Sequence, residues 1–347
     1  MKTDENLDYS PPPQSAAVII PVHNDAATLP ACLESVIPVV RSEDWDLIVV
    51  DDASTDGSAR IARERGARVV RLSENRGVAG ARNAGAENSD AEILVFIDAD
   101  IVPSPGALTS LVSTLARRPE IHAVGAYPLP DNLSSGWSSH FVGLRSTWGY
   151  QWRKGEVERE FSSIQSECGA IRKSAFAELG GFPEIYKGVG MEEFQMAHEL
   201  ESRGYGHLLI KAASYRHHYK TLAQRCLVLF NRTARWVPLF VRRKKFESRG
   251  AFGTPGAALS CLLTTIILAG FLAGIIHPRA LWVSLSACLI QIVLEWDFFR
   301  FSASRYGWLM SFYGLFALQI INLAITIGFI RGLWWLVFRI RAEGGRG

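Results

Sequence analysis

Four aspartates carry the first chemical signal: Asp51 and Asp52 follow one short apolar run, and Asp98 and Asp100 follow another. A single carboxylate at a strand end commonly caps a helix. Two strand ends that each carry a pair are harder to explain that way. If the strands are parallel, all four acids project toward one edge. Packing like charges together costs energy unless a cation or hydrogen-bond donors compensate. A hard divalent ion, Mg²⁺ or Mn²⁺, suits oxygen ligands. It takes one or two carboxylates and completes its shell with the phosphates of a substrate. The spacing therefore points to a nucleoside-diphosphate site bridged by a metal.

The elements that must position these acids alternate in type. Residues 17–21, 46–50, 67–72 and 92–97 are short, apolar and rich in β-branched side chains. Between them, residues 28–36, 55–65 and 78–87 read as helices, with Ser54 or Thr55 as the cap of the second. Alternation of this kind predicts an α/β domain with a mostly parallel sheet and crossover helices. Ligands gather outside the carboxyl ends of such strands. Pro21, His23 and Asn24, which follow the first run, therefore join the acids on that edge.

At these residues the chain resembles the family-2 glycosyltransferases, over roughly residues 18–222. VIIPVHN (18–24) is similar to the family's opening strand and nucleotide loop. VVDDASTDGS (49–58) is similar to its second-strand motif, in which Asp52 stands at the base-contacting position and Asp51 beside it. NRGVAGARNAG (75–85) resembles the loop and helix near the nucleotide and adds Asn75 and Arg82. FIDAD (96–100) resembles the DxD motif, with Asp98 toward the nucleotide and Asp100 on the metal. CGAIRKSAFAELGGFPE (168–184), which holds Gly169, resembles the segment that shapes the sugar and acceptor pocket. The resemblance implies the GT-A (Rossmann-like) fold, a UDP- or GDP-linked sugar donor, and Mg²⁺ or Mn²⁺.

The family's acidic pair, the source of its catalytic base, is altered. Here the segment reads Met191, Glu192, Glu193, Phe194, Gln195, so Glu193 stands where an aspartate is usual and Gln195 replaces a later aspartate. A glutamate reaches a hydroxyl within about 3 Å if the backbone retreats by about one ångström. Glu193 is the expected base, with Glu192 behind it. Both also suit the first turn of a helix, where acids favour the dipole. His217 follows the strand-like stretch 206–213 and is the candidate histidine near metal or diphosphate; a surface histidine pair is the competing reading. Arg232 and Arg235, in the run RTARW, resemble an RxxRW motif near the diphosphate. Guanidinium groups three apart share a helix face and suit phosphate. An interfacial Arg/Trp anchor explains the same residues equally well.

The rest of the chain changes character. Net charge is only +3 over 347 residues, which gives no global basic field for nucleic acid. The five cysteines form no CxxC pair, so neither a zinc site nor a disulfide framework is expected. Residues 1–15 read as a disordered lead-in without the apolar core of a signal peptide. Residues 16–220 form the expected GT-A catalytic domain, and 221–250 form amphipathic, basic, interfacial helices that include Arg242, Arg243, Lys244 and Lys245. Residues 251–347 form an all-α transmembrane region of about three spans, 254–276, 280–294 and 308–330, with a basic tail. The segment 297–306 reads as a polar connection. Basic residues before the first span and in that connection favour the inside. Three spans would then put the arginine-bearing tail outside, unless the second or third segment is re-entrant or the tail lies on the interface.

The expected function is an inverting glycosyltransferase of the cytoplasmic (inner) membrane, with its catalytic domain in the cytosol where nucleotide-sugars are found. The acceptor would be lipid-linked or saccharide, and nucleic acid is excluded as a partner. A polysaccharide synthase subunit is the alternative within the class. A catalytically inactive, nucleotide-binding membrane scaffold is the alternative outside it. Trp137, Trp148, Tyr150 and Trp152 are aromatics that stack on sugars, touch lipid or pack in a core.

Overall fold

The computed structural model describes residues 15–160, 164–186, 191–243 and 254–344. The lead-in therefore lies outside the described residues except for Ser15, as do residues 244–253. In chain order the elements are β1 (Ala16–Val22), α1 (Leu29–Ser42), β2 (Asp46–Asp51), α2 (Ser58–Glu64), β3 (Arg68–Arg71), α3 (Gly77–Glu87), β4 (Ile93–Ile97) and β5 (Ile101–Pro103). Next come α4 (Ala107–Arg117), β6 (Ile121–Pro128), α5 (Trp137–Trp148), β7 (Glu158–Arg159), β8 (Cys168–Arg172), α6 (Lys173–Glu178), α7 (Glu192–Ser202) and β9 (Gly206–His217). The helices α8 (Leu222–Arg243), α9 (Pro255–Gly274), α10 (Ala280–Leu294), α11 (Trp296–Tyr306) and α12 (Trp308–Gly344) complete the chain.

Two compact units result, and the division is not linear. The first holds residues 1–127, 154–187 and 192–215; the second holds 128–153, 188–191 and 216–347. Thus the aromatic segment 137–152 groups with the C-terminal helices, whereas a single cut near residue 220 was expected from the sequence.

In the first unit the strands lie in the order β3-β2-β1-β4-β8-β6-β9-β5, with β7 beside β9. Every residue of β1 and β4 is buried. This is why both read as continuous apolar runs: a central strand covered on both faces has no polar side to alternate with. β1 pairs in parallel with β2 and β4, and β2 with β3, so half of the sheet is as expected. The other half is mixed, because β8 runs antiparallel to both β4 and β6. Val22 pairs with Asp51, and Ile19 with Phe96. That register brings the ends of β1, β2 and β4 to one edge of the sheet.

Helix α3 covers β1 and β2 closely because its inner face is built of alanine and glycine. A Cβ added at Gly85 would lie 2.3 Å from Ile19 Cγ2 and 3.2 Å from Val50 Cγ2. Ile19 is fully buried in the sheet and has nowhere to move. Gly85→Ala gains roughly 0.5–1 kcal/mol of helix propensity. It loses about 1–3 kcal/mol to overpacking. The expected result is a lower thermal midpoint of the solubilised protein; an unchanged or raised midpoint would show that α3 can lift off β1 freely.

Several boundaries move for local reasons. Helix α2 begins at Ser58 behind Gly57, which makes no side-chain cap bond, so neither Ser54 nor Thr55 caps it. Asp56 Oδ1 accepts the Ser58 N–H instead, at 2.9 Å. Helix α1 runs past its expected end, through Pro38 to Ser42. Strand β9 extends to His217, so His217 ends the strand and does not follow it.

In the second unit, α9 and the 308–338 part of α12 are long and apolar enough to cross a membrane. The pair α10–α11 is bent by 66° and makes a third span only if it is one broken segment. The polar connection expected at 297–306 is in fact helix α11. Its buried face is Phe298, Phe299 and Ser302, while Arg300 and Arg305 face outward. Ser260, Thr264, Gln291, Gln319 and Asn322 form a buried polar knot between α9, α10 and α12. Gln291 Nε2 donates to Ser260 Oγ and Thr264 Oγ1, both at 3.1 Å. Asn322 Nδ2 donates to the same two oxygens, at 2.9 and 3.0 Å. With every amide given a partner, such a knot specifies helix register in an apolar bundle.

Candidate active site

An open cleft of about 490 Å³ lies at the carboxyl ends of β1, β2 and β4. The strand-end residues Pro21, His23, Asp52, Asp98 and Asp100 all line it, as does Asp25, which the sequence reading missed. The loops that hold these residues are tied to each other. His23 Nδ1 lies 2.7 Å from the Asp52 carbonyl oxygen. Asn24 Oδ1 accepts from Thr55 N–H and Oγ1–H, at 2.9 and 3.2 Å. Asn24 and Ala53 both have positive φ, 59° and 55°. Asparagine tolerates that region; alanine does so at roughly 1–2 kcal/mol. The β1 and β2 loops are therefore braced in one arrangement, and Asn24 faces the brace.

Asp51 is fully buried beneath this layer. Its Oδ1 accepts the Ser54 N–H at 2.9 Å, and its Oδ2 is 3.3 Å from Arg71 Nε. Asp52 is also buried, but at the cleft wall. Its two oxygens accept the N–H groups of Arg76 and Gly77, at 2.6 and 2.8 Å, and so anchor the start of α3. Asn75 Nδ2 approaches the Asp52 carbonyl oxygen at 3.4 Å. Two neighbouring acids at one strand end thus do different work, one within the loop and one at the cleft.

The centre of charge is Arg82, whose side chain is 1% exposed. Its Nη2 donates to Asp98 Oδ1 at 2.7 Å, and its Nη1 is 3.5 Å from Glu192 Oε1. Its guanidinium carbon sits 5.3 Å above the Phe182 ring. Burial works against the guanidinium charge, but Asp98, Glu192 and Glu193 outweigh it and raise its pKa above the ordinary value. One cation therefore joins the DxD strand end to the start of α7. Glu192, 2% exposed, points inward to this cation. Its neighbour Glu193 is half-buried and accepts the Ser166 hydroxyl at 3.1 Å. Burial raises the Asp25 pKa, helped by the negative charges of Asp98 and Asp56 and opposed by the His23 N–H. The cleft is thus rich in negative charge.

Helix α3 also holds the segment after β8. Asn83 Nδ2 donates to the Phe182 carbonyl oxygen at 2.9 Å, and Phe182 N–H donates back to Asn83 Oδ1 at 2.8 Å. Arg76 Nη2 donates to Glu184 Oε1 at 2.6 Å. That bond holds the Glu184 carboxyl below the usual range. The tie contributes above the ordinary glutamate pKa and is lost as pH falls through the depressed one. Asn83, Arg76 and Glu184 lie inside the motif segments 75–85 and 168–184, but the sequence alone assigns them no role.

Gly169 lies elsewhere, in a small pocket beside Gln165 and Ser166. A Cβ there would meet the Gln165 carbonyl oxygen at 2.3 Å, so only glycine allows this close backbone approach. His217, Arg232 and Arg235 belong to the second unit. His217 stacks on Tyr219 at 4.5 Å, and Arg235 lies 5.6 Å from the Trp335 ring. Trp148 packs against Phe298 and Phe301 as a core aromatic. Among the described residues no group of three or more His, Cys, Asp or Glu side chains forms a protein cage for a metal.

Residues 17–180 match the family model for glycosyl transferase family 2. A glycosyltransferase of Haloferax volcanii, AglE, is 36% identical over 106 residues, 29% of this chain and 35% of that protein. An undecaprenyl-phosphate 4-deoxy-4-formamido-L-arabinose transferase of Proteus mirabilis is 32% identical over 106 residues, 28% of this chain and 32% of that protein. The chain thus spans about a third of the length of these curated relatives. Among solved structures, a mannosyltransferase of Pyrobaculum calidifontis, in complex with GDP-Man and Mn²⁺, is similar with a TM-score of 0.57 at 21% identity. The similarity covers 94% of this chain and 90% of that one. The family match falls on the strands and loops that build the cleft, and residues 17–180 form a family-2 glycosyltransferase domain with the GT-A fold.

Proposed function

We propose that this protein transfers a sugar from a UDP- or GDP-linked donor to a lipid-linked or membrane-associated acceptor, with inversion at the anomeric carbon. The observation that carries the reading is the convergence of His23, Asp25, Asp52, Asp98 and Asp100 on one cleft at the strand ends. The named relatives support the acceptor class, since one is an undecaprenyl-phosphate transferase. The apolar helices support a membrane location, and a cytosolic nucleotide-sugar pool places the catalytic unit on the inner face.

A divalent ion, Mg²⁺ or Mn²⁺, fits this cleft. Its side-chain donors are carboxylate oxygens, and burial, aided by the charges of Asp98 and Asp56, already pushes Asp25 toward protonation. Asp100 and Asp98 are the residues that would hold the ion. One or two carboxylates suffice when a diphosphate supplies the other oxygens. When bound, the ion supplies Lewis acidity that offsets charge on the departing diphosphate.

The chain's own residues supply the rest. Asp52 and Asp98 orient the base and ribose. A carboxylate has about four acceptor sites, so Asp52 keeps capacity beyond its bonds to the α3 N–H groups. Pro21, Asn24, Asn75 and Arg82 keep the nucleotide loops in place, and Asp51 holds the loop beneath them. Gly169 lets the β8 backbone approach the 165 loop. Glu193 takes the acceptor hydroxyl proton as the acceptor oxygen bonds to the anomeric carbon. The bond from that carbon to the diphosphate oxygen breaks on the opposite face, and the nucleoside diphosphate departs with its electron pair. That single displacement inverts the centre.

The test is donor turnover in native membranes across UDP- and GDP-sugars with Mn²⁺. One donor is expected to be consumed, with product inversion visible by NMR. A chelator should abolish turnover, and Mn²⁺ or Mg²⁺ should restore it. Nucleotide binding without turnover of any donor, across a broad acceptor panel, would replace this reading with that of an inactive scaffold. Turnover that survives chelation would remove the metal from it.

A further inference from the structure

Glu193 stands in the first turn of α7, and a hydroxyl that reaches it comes from a different element. Ser166, in the turn before β8, donates to Glu193 Oε1 at 3.1 Å. The serine is 2% exposed, so bulk water does not reach that donor. A buried hydroxyl left without an acceptor is costly, and this one is spent on a carboxylate. The turn that carries it is held at three points. The Glu167 carbonyl oxygen accepts the Asp98 N–H at 2.9 Å. The Glu167 carboxylate accepts the hydroxyl of Tyr215, a fully buried residue of β9, at 2.8 Å. The Gln165 carbonyl oxygen rests against Gly169, where no Cβ would fit. One turn thus supplies both the backbone partner of the Asp98 strand end and a hydroxyl partner of the acid on α7.

A glutamate needs such a partner more than an aspartate would. Its stem has one more torsion, and the terminal one is broad, without sharp staggered wells. Proton transfer requires the carboxylate within about 3 Å of the acceptor hydroxyl. A donor fixed by the turn before β8 restricts which way that carboxylate faces. A carboxylate has about four acceptor sites, so one serine does not saturate it.

We propose that Ser166 is a positioning residue for sugar transfer. It orients the Glu193 carboxylate toward the acceptor proton and contacts neither the nucleotide nor the sugar. This inference rests on the base role proposed for Glu193.

The test measures transfer by the full chain in native membranes, comparing wild type, Ser166→Ala, Glu193→Gln and the double variant. Ser166→Ala is expected to lower kcat about tenfold. Donor KM and nucleotide affinity should stay unchanged, because the serine acts on the acceptor's proton alone. In the Glu193→Gln background the same change should cost less than about twofold, since glutamine takes no proton whatever its orientation. Equal losses in both backgrounds, or a raised donor KM together with a lower thermal midpoint, would make Ser166 only a brace for α7 and overturn the proposal. A wild-type kcat in Ser166→Ala, with Glu193→Gln slowed, also overturns it and leaves the base role standing. A wild-type rate in Glu193→Gln removes the base role itself, and the positioning role with it.

Discussion

Glu193→Gln is expected to slow sugar transfer by about 10²–10⁴-fold, the usual contribution of a positioned general base. Glutamine keeps the size of the side chain and still accepts the Ser166 hydroxyl, a bond of 3.1 Å in the native protein. It cannot take a proton. Nucleotide affinity should therefore stay unchanged while kcat falls, and a pH–rate profile should lose its acidic limb. The structure separates the two candidate acids. Glu192 is buried 3.5 Å from the Arg82 guanidinium, so its charge serves that cation. Glu193 is half-buried, one residue further round α7, and its carboxylate accepts the Ser166 hydroxyl at 3.1 Å. A transfer rate that survives Glu193→Gln would mean an acceptor that is already ionised, such as a phosphate, or a base role for Glu192. Glu192→Gln in the same assay distinguishes these.

Arg82→Met should have the larger effect on the folded state. The side chain is 1% exposed and faces Asp98 and Glu192 at 2.7 and 3.5 Å. Methionine fills similar space but leaves two buried or half-buried carboxylates facing each other without a cation. Removing one partner of a buried pair costs about 3–5 kcal/mol. Nucleotide binding should weaken as well, because Asp98 loses the bond that orients it. Arg82→Lys retains charge but not the fork that reaches two carboxylates, so it should recover only part of the loss. Arg82→Met combined with Glu192→Gln should be less destabilised than Arg82→Met alone, since one of the stranded charges is gone. A thermal midpoint for Arg82→Met equal to the wild type would show that the two carboxylates protonate or hydrate at little cost.

Much of this architecture is local in origin. The apolar runs of β1, β2 and β4 and the small residues of α3 declare themselves because backbone geometry imposes periods of about 2 and 3.6 on buried side chains. The position of Asp98, Asp100, Asp52 and His23 at strand ends follows directly, and register then brings them to one edge. The long apolar stretches of α9 and α12 are equally plain, since their length and apolarity are enough to cross a membrane and can be read from composition alone.

What the sequence could not determine is which polar groups meet. Ser54 and Thr55 look like helix caps, yet their groups bond to Asn24 and Asp51 across the β1–β2 loops. Arg76 and Glu184 are 108 positions apart, and nothing in either segment announces the other. Arg82 reads as one of several residues near a nucleotide; only the fold makes it the buried cation between β4 and α7. Helix α11 reads as a polar connection, because its apolar face appears only when Phe298 and Phe299 pack against α5 and α12. The physical reason is the same in each case. Periodicity is a property of one segment, whereas a buried charge or donor is stable only beside a partner brought to it by the tertiary structure, and the chain's one-dimensional order does not record that meeting.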